Sequence, residues 1–456
     1  MNYLDRTLRK IVAFTEAERL LLNGGGPVVL SGTTESQRAH ILSRAGSFHA
    51  RLVVVHSESE ARRLSEDLRF FLDRVLMFPE KDLLFYQADI RSLDLLRQRM
   101  RALRAIREGG DYMIVTTFAA MMNVLPPCEE FDAAVLDLSE GLFCEQEAVV
   151  RKLISLGYER TARVEAPGEF AVHGGILDVF DITEERPVRV EFWDTEIDTI
   201  RSFNPETQIS EERRESVSIY PAEELFPGPD ACIRAEKSLR ADYEKLKESF
   251  VKNNQYEEAA SLQSAYREAS DGLSDRYFRG RLAGLSAYFY EEQDSLLSYL
   301  PKETLLCLLE PARLLEQGTA AEEEFSESFR MRIGKGLAFP KEGSVIRSVQ
   351  ETFAGLDTGR TLALTGFDSR PPMLHIQESY LMEVQPTVSY QGNFEGLTTD
   401  LKNYLSRGFS VVLLSPSRKR RRSKTKKRSS NWNSLKKIGG DLLFHKQVQY
   451  HRRCGA

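Results

Sequence analysis

PGEFAVHGGILDVFDITEERPVRVEFWDTEIDTIRSF, running from Pro167 to Phe203, reads as a four-stranded antiparallel meander. Pro167-Gly168 supplies the opening turn, Gly174-Gly175 the first reversal, Thr183 to Pro187 a polar loop and Asp194-Thr195 the last turn. Between loop and last turn the residues alternate with period two. Val188, Val190 and Phe192 fall on one face, and Arg189, Glu191 and Trp193 on the other. The polar face thus carries one of only two tryptophans in the chain. Trp beside Arg on a rigid sheet face is the composition of a protein–protein hot spot. The competing reading buries Trp193 under a covering helix.

Two strings in and after this stretch, PGEFAVHGGILDVF and PVRVEFWDTEIDTIRSFNPETQ, resemble the second domain of the bacterial transcription-repair coupling factors, the Mfd family. That domain is shared in form with the excision-repair protein UvrB, and in both it is the module that binds UvrA. The resemblance implies that His173, Arg189 and Trp193 contact UvrA. Arg189 is expected to offer a forked bond to a partner carboxylate, and Trp193 broad apolar area. At position 173 the family pattern has Arg, and a neutral imidazole lacks that fork.

Upstream, residues 1–134 read as an α/β unit. Val28-Val29-Leu30, Leu52 to Val55 and Met113 to Thr116 are short apolar strands. Ser92 to Arg107 places Leu96, Met100, Leu103 and Ile106 on one helical face and stops at Gly109-Gly110. Strands alternating with helices imply a parallel sheet covered on both faces. The turn after the first strand, LSGTTESQR, stands where UvrB carries a phosphate-binding loop. Such a loop needs glycines for close backbone approach, then Lys. Here Ser31 and Ser36 replace glycines, Gln37 replaces the Lys, and Glu35 would face the triphosphate. The matching acidic strand, LLCLLEP, ends in the single carboxylate of Glu310, and the other candidate, AAVLD, ends at Asp137. A degenerate nucleotide site is expected, with neither ATP nor magnesium bound. The DNA-clamping hairpin of UvrB corresponds to Phe78–Ile90, which offers only Phe85 and Tyr86.

Downstream, Leu239, Tyr243, Leu246 and Phe250, then Ala259, Leu262 and Tyr266, mark a long helix or helical hairpin. Through Pro311 the chain is expected to return to the first unit. The expected domains are thus 1–134, a degenerate P-loop-like, RecA-type α/β domain; 135–225, the inserted antiparallel β platform; and 226–354, the rest of the first domain. A small incomplete α/β domain at 355–416, opened by the strand Leu362–Thr365, and a basic tail at 417–456 complete the expectation.

The tail holds 14 Lys or Arg and one acid, leaving 48 basic against 67 acidic residues before it, a net of −19. By charge the body is no general nucleic-acid binder; only the tail is. The tail reads as a nucleic-acid or localisation block or, preferred, as non-native sequence from a shifted reading frame. Cys128, Cys144, Cys232, Cys307 and Cys454 stand singly, which argues against zinc and for a reducing cytoplasm. No apolar run reaches the roughly 18 residues of a membrane span.

The resemblance, covering about residues 1–420, implies a part in transcription-coupled nucleotide-excision DNA repair through UvrA recruitment. Full-length members continue into an RNA-polymerase-binding domain and an ATP-driven motor that moves on DNA. The chain is expected to stop before both. The alternatives are a UvrB-like ATP-dependent DNA-damage helicase and a basic-tailed nucleic-acid binder.

Overall fold

In the computed structural model the described residues are 8–45, 48–81, 93–275, 280–368, 370–382, 393–409, 412–414 and 443–445. The first four strands are β1 (Val28–Ser31), β2 (Ala50–Val55), β3 (Val75–Phe78) and β4 (Tyr112–Thr117). The inserted segment contributes β5 (Leu136–Ser139), β6 (Glu159–Arg160), β7 (Glu169–His173), β8 (Ile176–Val179), β9 (Val188–Trp193), β10 (Glu196–Phe203), β11 (Ser210–Arg214) and β12 (Ser216–Ile219). After two long helices come β13 (Leu305–Leu309), β14 (Thr361–Leu364) and β15 (Glu378–Leu381).

Seven strands form one parallel sheet in the order β15-β1-β14-β13-β2-β4-β3. Every residue of β2, β4 and β13 is buried, which is why these strands read as unbroken apolar runs rather than alternating ones. The helix Leu93–Glu108 lays Met100, Leu103 and Ile106 on this sheet, and Gly109 ends it at φ 72°, a left-handed conformation. β13 returns to pair with β2, so the first unit is discontinuous. The strand expected to open a separate domain at 355 is instead β14, seated between β1 and β13. Thr361–Leu364 is buried throughout and extends a half-built sheet. The described residues beyond it are β15, the helix Phe394–Ser406 and the parallel pair Val412–Leu414 with Leu443–His445. The rest of the tail and the pair Phe85 and Tyr86 lie outside the described residues.

The insert starts from a two-stranded neck, β5 against β12. Asp137, weighed from sequence as a motor carboxylate, sits in this neck and bonds Arg107 at 2.8 Å and Ser218 at 2.5 Å. Beyond it lies a six-stranded sheet, β11-β10-β9-β8-β7-β6. The strands β7 to β10 are the expected antiparallel meander, flanked by β6 and β11. Phe170, Leu177, Val190 and Ile200 on its inner face are 0% exposed and share one core with Leu103, Met121 and Phe131. Burial of each such side chain is worth about 1.5–3 kcal/mol. The platform therefore has no separate core of its own on this side.

Helices Pro229–Lys252 and Tyr256–Asp275 form the expected hairpin, with Tyr243 stacked on Tyr266 at 4.3 Å between centroids.

Candidate functional site

The helix Leu93–Glu108 fixes where the platform points. Arg97, Arg101 and Arg104 recur on one helical face and all reach the polar loop after β8. Arg97 donates to the carbonyls of Ile182 and Glu184 at 3.0 and 2.9 Å, Arg101 to that of Thr183 at 2.9 Å, and Arg104 to the Glu184 carboxylate at 2.8 Å. Burial would raise the Glu184 carboxyl, but Arg104 and Arg214 lower it below its ordinary value. On the helix's other side, buried Arg99 stacks 4.0 Å from the Phe78 ring centre, donates to the Pro79 carbonyl at 2.7 Å and pairs with Glu224. Lys81 also meets Glu224, at 3.0 Å. Burial opposes ionisation of Glu224, yet the two cations hold its carboxyl well below the usual range. Asp181 closes the loop from within, accepting from Tyr158 at 3.0 Å, from the Thr183 amide at 2.8 Å and from the Tyr220 amide at 2.6 Å.

The inner face is bound to the core, and on part of the outer face Ala171 and Phe203 are buried with Val164 and Phe180, whereas His173 and Trp193 on that face are exposed. The turn Gly174-Gly175 sets β7 against β8, and a side chain on Gly175 would lie 2.9 Å from the Phe192 carbonyl oxygen. Glycine is required there. The pairing places Asp178 opposite Arg189, Ile176 opposite both His173 and Glu191, and Glu196 opposite Trp193. His173, Arg189 and Trp193 thus share one face within three strands, about 10 Å across.

Their environments differ. Trp193 is 79% exposed, so no helix covers it. His173 is exposed, with Nε2 3.0 Å from the Ala162 carbonyl. Arg189 is half-buried, and its fork is already closed: Nε and Nη2 donate to the two Asp178 carboxylate oxygens at 2.8 and 2.7 Å. The guanidinium also lies 4.8 Å from the Phe203 ring centre. These bonds, opposed by burial, raise the Arg189 pKa. The expectation of a free fork is corrected accordingly: the carboxylate Arg189 binds is its own neighbour's. Asp178 escaped the sequence reading because the loop between β8 and β9 does not fix their register. Glu196 was legible, since a two-residue turn places it opposite Trp193.

The loop after β1, expected from sequence to be a degenerate phosphate loop, is hydrogen-bonded to the neighbouring strand segments. Ser31 Oγ donates weakly to the Tyr380 carbonyl, at 3.4 Å. Gly32 takes φ 72°, and a side chain there would lie 2.6 Å from the Met382 carbonyl oxygen. Thr33 donates to the Thr365 carbonyl through both its amide and its hydroxyl, each at 3.0 Å. Exposed Glu35 pairs with Arg63 at 3.2 Å. Gln37 sits in the first turn of the helix Glu35–Arg44, while the side chain of Ser36 lies outside the described residues. Glu310 pairs with buried Arg38 and accepts from the Gly366 amide at 2.9 Å. The carboxylate read as a magnesium-site remnant is therefore already neutralised by an arginine.

Residues 136–225 match the family model described as the UvrB interaction domain. Over 380 residues the chain is 29% identical to the transcription-repair-coupling factor of Bacillus subtilis strain 168, covering 81% of this chain and 31% of that protein. It is 24% identical over 402 residues to the protein of the same name from Staphylococcus aureus strain USA300, covering 86% of this chain and 33% of the relative. The chain spans about a third of the length of these curated relatives. Both comparisons bear out the resemblance to the UvrB-like region of the coupling factors. Among the described residues no helix is long and apolar enough to cross a membrane.

Proposed function

We propose that the outer face of the platform docks UvrA, and that the chain serves transcription-coupled nucleotide-excision repair as its UvrA-recruiting part. One observation carries this reading. Trp193 projects, 79% exposed, from a sheet whose opposite face is joined to the protein core. A large aromatic held at low entropy cost on a rigid support is what an interface hot spot requires. His173 lies on the same face, and Arg189 holds the face in shape through Asp178. The matched family model supports the choice of partner.

No nucleotide chemistry is assigned to these residues, because the loop after β1 is tied to Thr365 and Glu310 is tied to Arg38. This arrangement disfavours the helicase alternative. Contacts with RNA polymerase and movement on DNA are assigned to portions of the longer relatives that this chain does not match.

The test is the affinity of purified UvrA for the chain carrying Trp193→Ala. A loss of about 2 kcal/mol or more is expected, the hot-spot scale, with the thermal midpoint unchanged. Arg213→Ala is the control. Arg213 bonds Glu140 twice at 2.9 Å on the flank of the sheet, and its loss should leave affinity unaltered. Unchanged affinity in the tryptophan variant would sink the docking-face assignment.

A further inference from the structure

Trp193 does not stand alone on its row. Phe143, in the segment between the neck and the helix Gln146–Ser155, forms an antiparallel bridge with Glu196, which is itself the partner of Trp193. The bridge is held on both sides. The Cys144 amide donates to the Thr195 carbonyl at 2.7 Å, and the Ile197 amide to the Leu142 carbonyl at 3.0 Å. Residues directly opposite in a bridge project from the same face. Trp193, Glu196 and Phe143 therefore lie side by side across three strands, about 10 Å from first to last. Phe143 is 72% exposed. Two large aromatics held open on one rigid edge, with a carboxylate between them, form a shelf without a covering element among the described residues.

The charge around the shelf is acidic. Glu196 stands in the row, Asp194 in the adjoining turn and Glu191 one pleat away, where it accepts from Thr199 at 3.0 Å. The arginines nearby are turned elsewhere: Arg189 onto Asp178, Arg213 onto Glu140. Arg201, opposite Arg189, is two rows distant from Trp193. A partner that covers this edge must bury apolar surface at its centre and present cations at its rim.

We infer that Phe143 is a second anchor of the docking face, and that the UvrA surface it meets is an apolar socket rimmed by Lys or Arg. The inference rests on the UvrA reading above and specifies it. Two buried aromatics would supply about 300–500 Å² of the roughly 800 Å² that a standard interface takes from each partner. Without Phe143 that contribution falls by about half.

The full 456-residue chain is measured against purified UvrA as Phe143→Ala, Phe143→Lys, Trp193→Ala and Glu196→Lys, each with a thermal midpoint. Phe143→Ala should bind about tenfold more weakly, roughly 1.4 kcal/mol, with its midpoint unchanged. Phe143→Lys should be weaker still, because it adds a cation facing cations. Glu196→Lys should weaken binding in low salt, and the deficit should shrink as salt is raised. Wild-type affinity in Phe143→Ala alongside loss in Trp193→Ala overturns the second anchor and leaves the docking reading standing. Failure of all four variants to change affinity overturns both. Tighter binding by Glu196→Lys or Phe143→Lys overturns the basic rim. Self-association of the chain that disappears in Phe143→Ala, with UvrA affinity unmoved, would give the shelf to a second copy and overturn the inference as well.

Discussion

Removing the Arg189 guanidinium would strand the Asp178 carboxylate, whose side chain is 4% exposed. Breaking one partner of a buried pair costs about 3–5 kcal/mol, whereas replacing both by apolar groups is often neutral. Arg189→Ala is therefore expected to lower unfolding stability by about 3 kcal/mol, and the double change Arg189→Leu with Asp178→Leu to recover most of it. Urea unfolding of the three proteins decides the matter. An Arg189→Ala protein of full stability that no longer binds UvrA would mean that the fork serves the partner after all. Trp193 works differently: at 79% exposure it contributes little to folding, so its effect on binding can be read without correction.

The helix Leu93–Glu108 is the element through which the platform is oriented. Glu224 is the sensitive point of its junction with the segment that follows β12. Burial by itself would raise the carboxyl, but Arg99 and Lys81 depress it well below its ordinary value. A depressed folded-state pKa means that the unfolded chain takes up the proton first as pH falls. Stability from Glu224 is thus fully present above about pH 4.3, the ordinary Glu value, and is lost as pH drops from there towards the folded value. Thermal midpoints should fall in that acid range, and Glu224→Gln should flatten the acid limb while lowering stability at neutral pH. An acid limb as steep in the variant as in the wild type would assign the loss to other carboxylates. The loop after β1 gives a second test at this scale. With Arg38 closed on Glu310 and Thr33 on Thr365, millimolar ATP with magnesium should leave the thermal midpoint unmoved and no phosphate should be released. A midpoint raised by ATP and restored by Gln37→Ala would show that the cradle opens.

Across the whole molecule, net charge and chain return set what can bind and what must fold together. The first 416 residues carry a net of −19 and the remaining 40 are strongly basic. Any salt-sensitive retention of duplex DNA by the chain should therefore vanish when it is cut before Ser417, since a polyanion is repelled by the remainder. Gel-shift titration of the two forms in low salt checks this, and equal affinity would place a DNA site in the body. Local sequence determined the elements. The alternation from Val188 to Trp193, the turns at Gly174-Gly175 and Asp194-Thr195, the face of Met100, Leu103 and Ile106, and the stripe from Leu239 to Tyr266 all depend on neighbours a few residues apart. Those periods survive in the folded protein because each lays its apolar residues on a core. Tertiary structure decided the placements. Leu362–Thr365 looked like the start of a new domain, yet the strand found there, Thr361–Leu364, fills the gap between β1 and β13. No local pattern in a fully buried strand says which distant strand it will pair with. Arg189 found Asp178 because the fold fixed a register across the loop from Phe180 to Pro187. Trp193 stayed in solvent because the platform's other face had already joined the core. Register and coverage are properties of surfaces meeting, and they exist only once the chain has returned on itself.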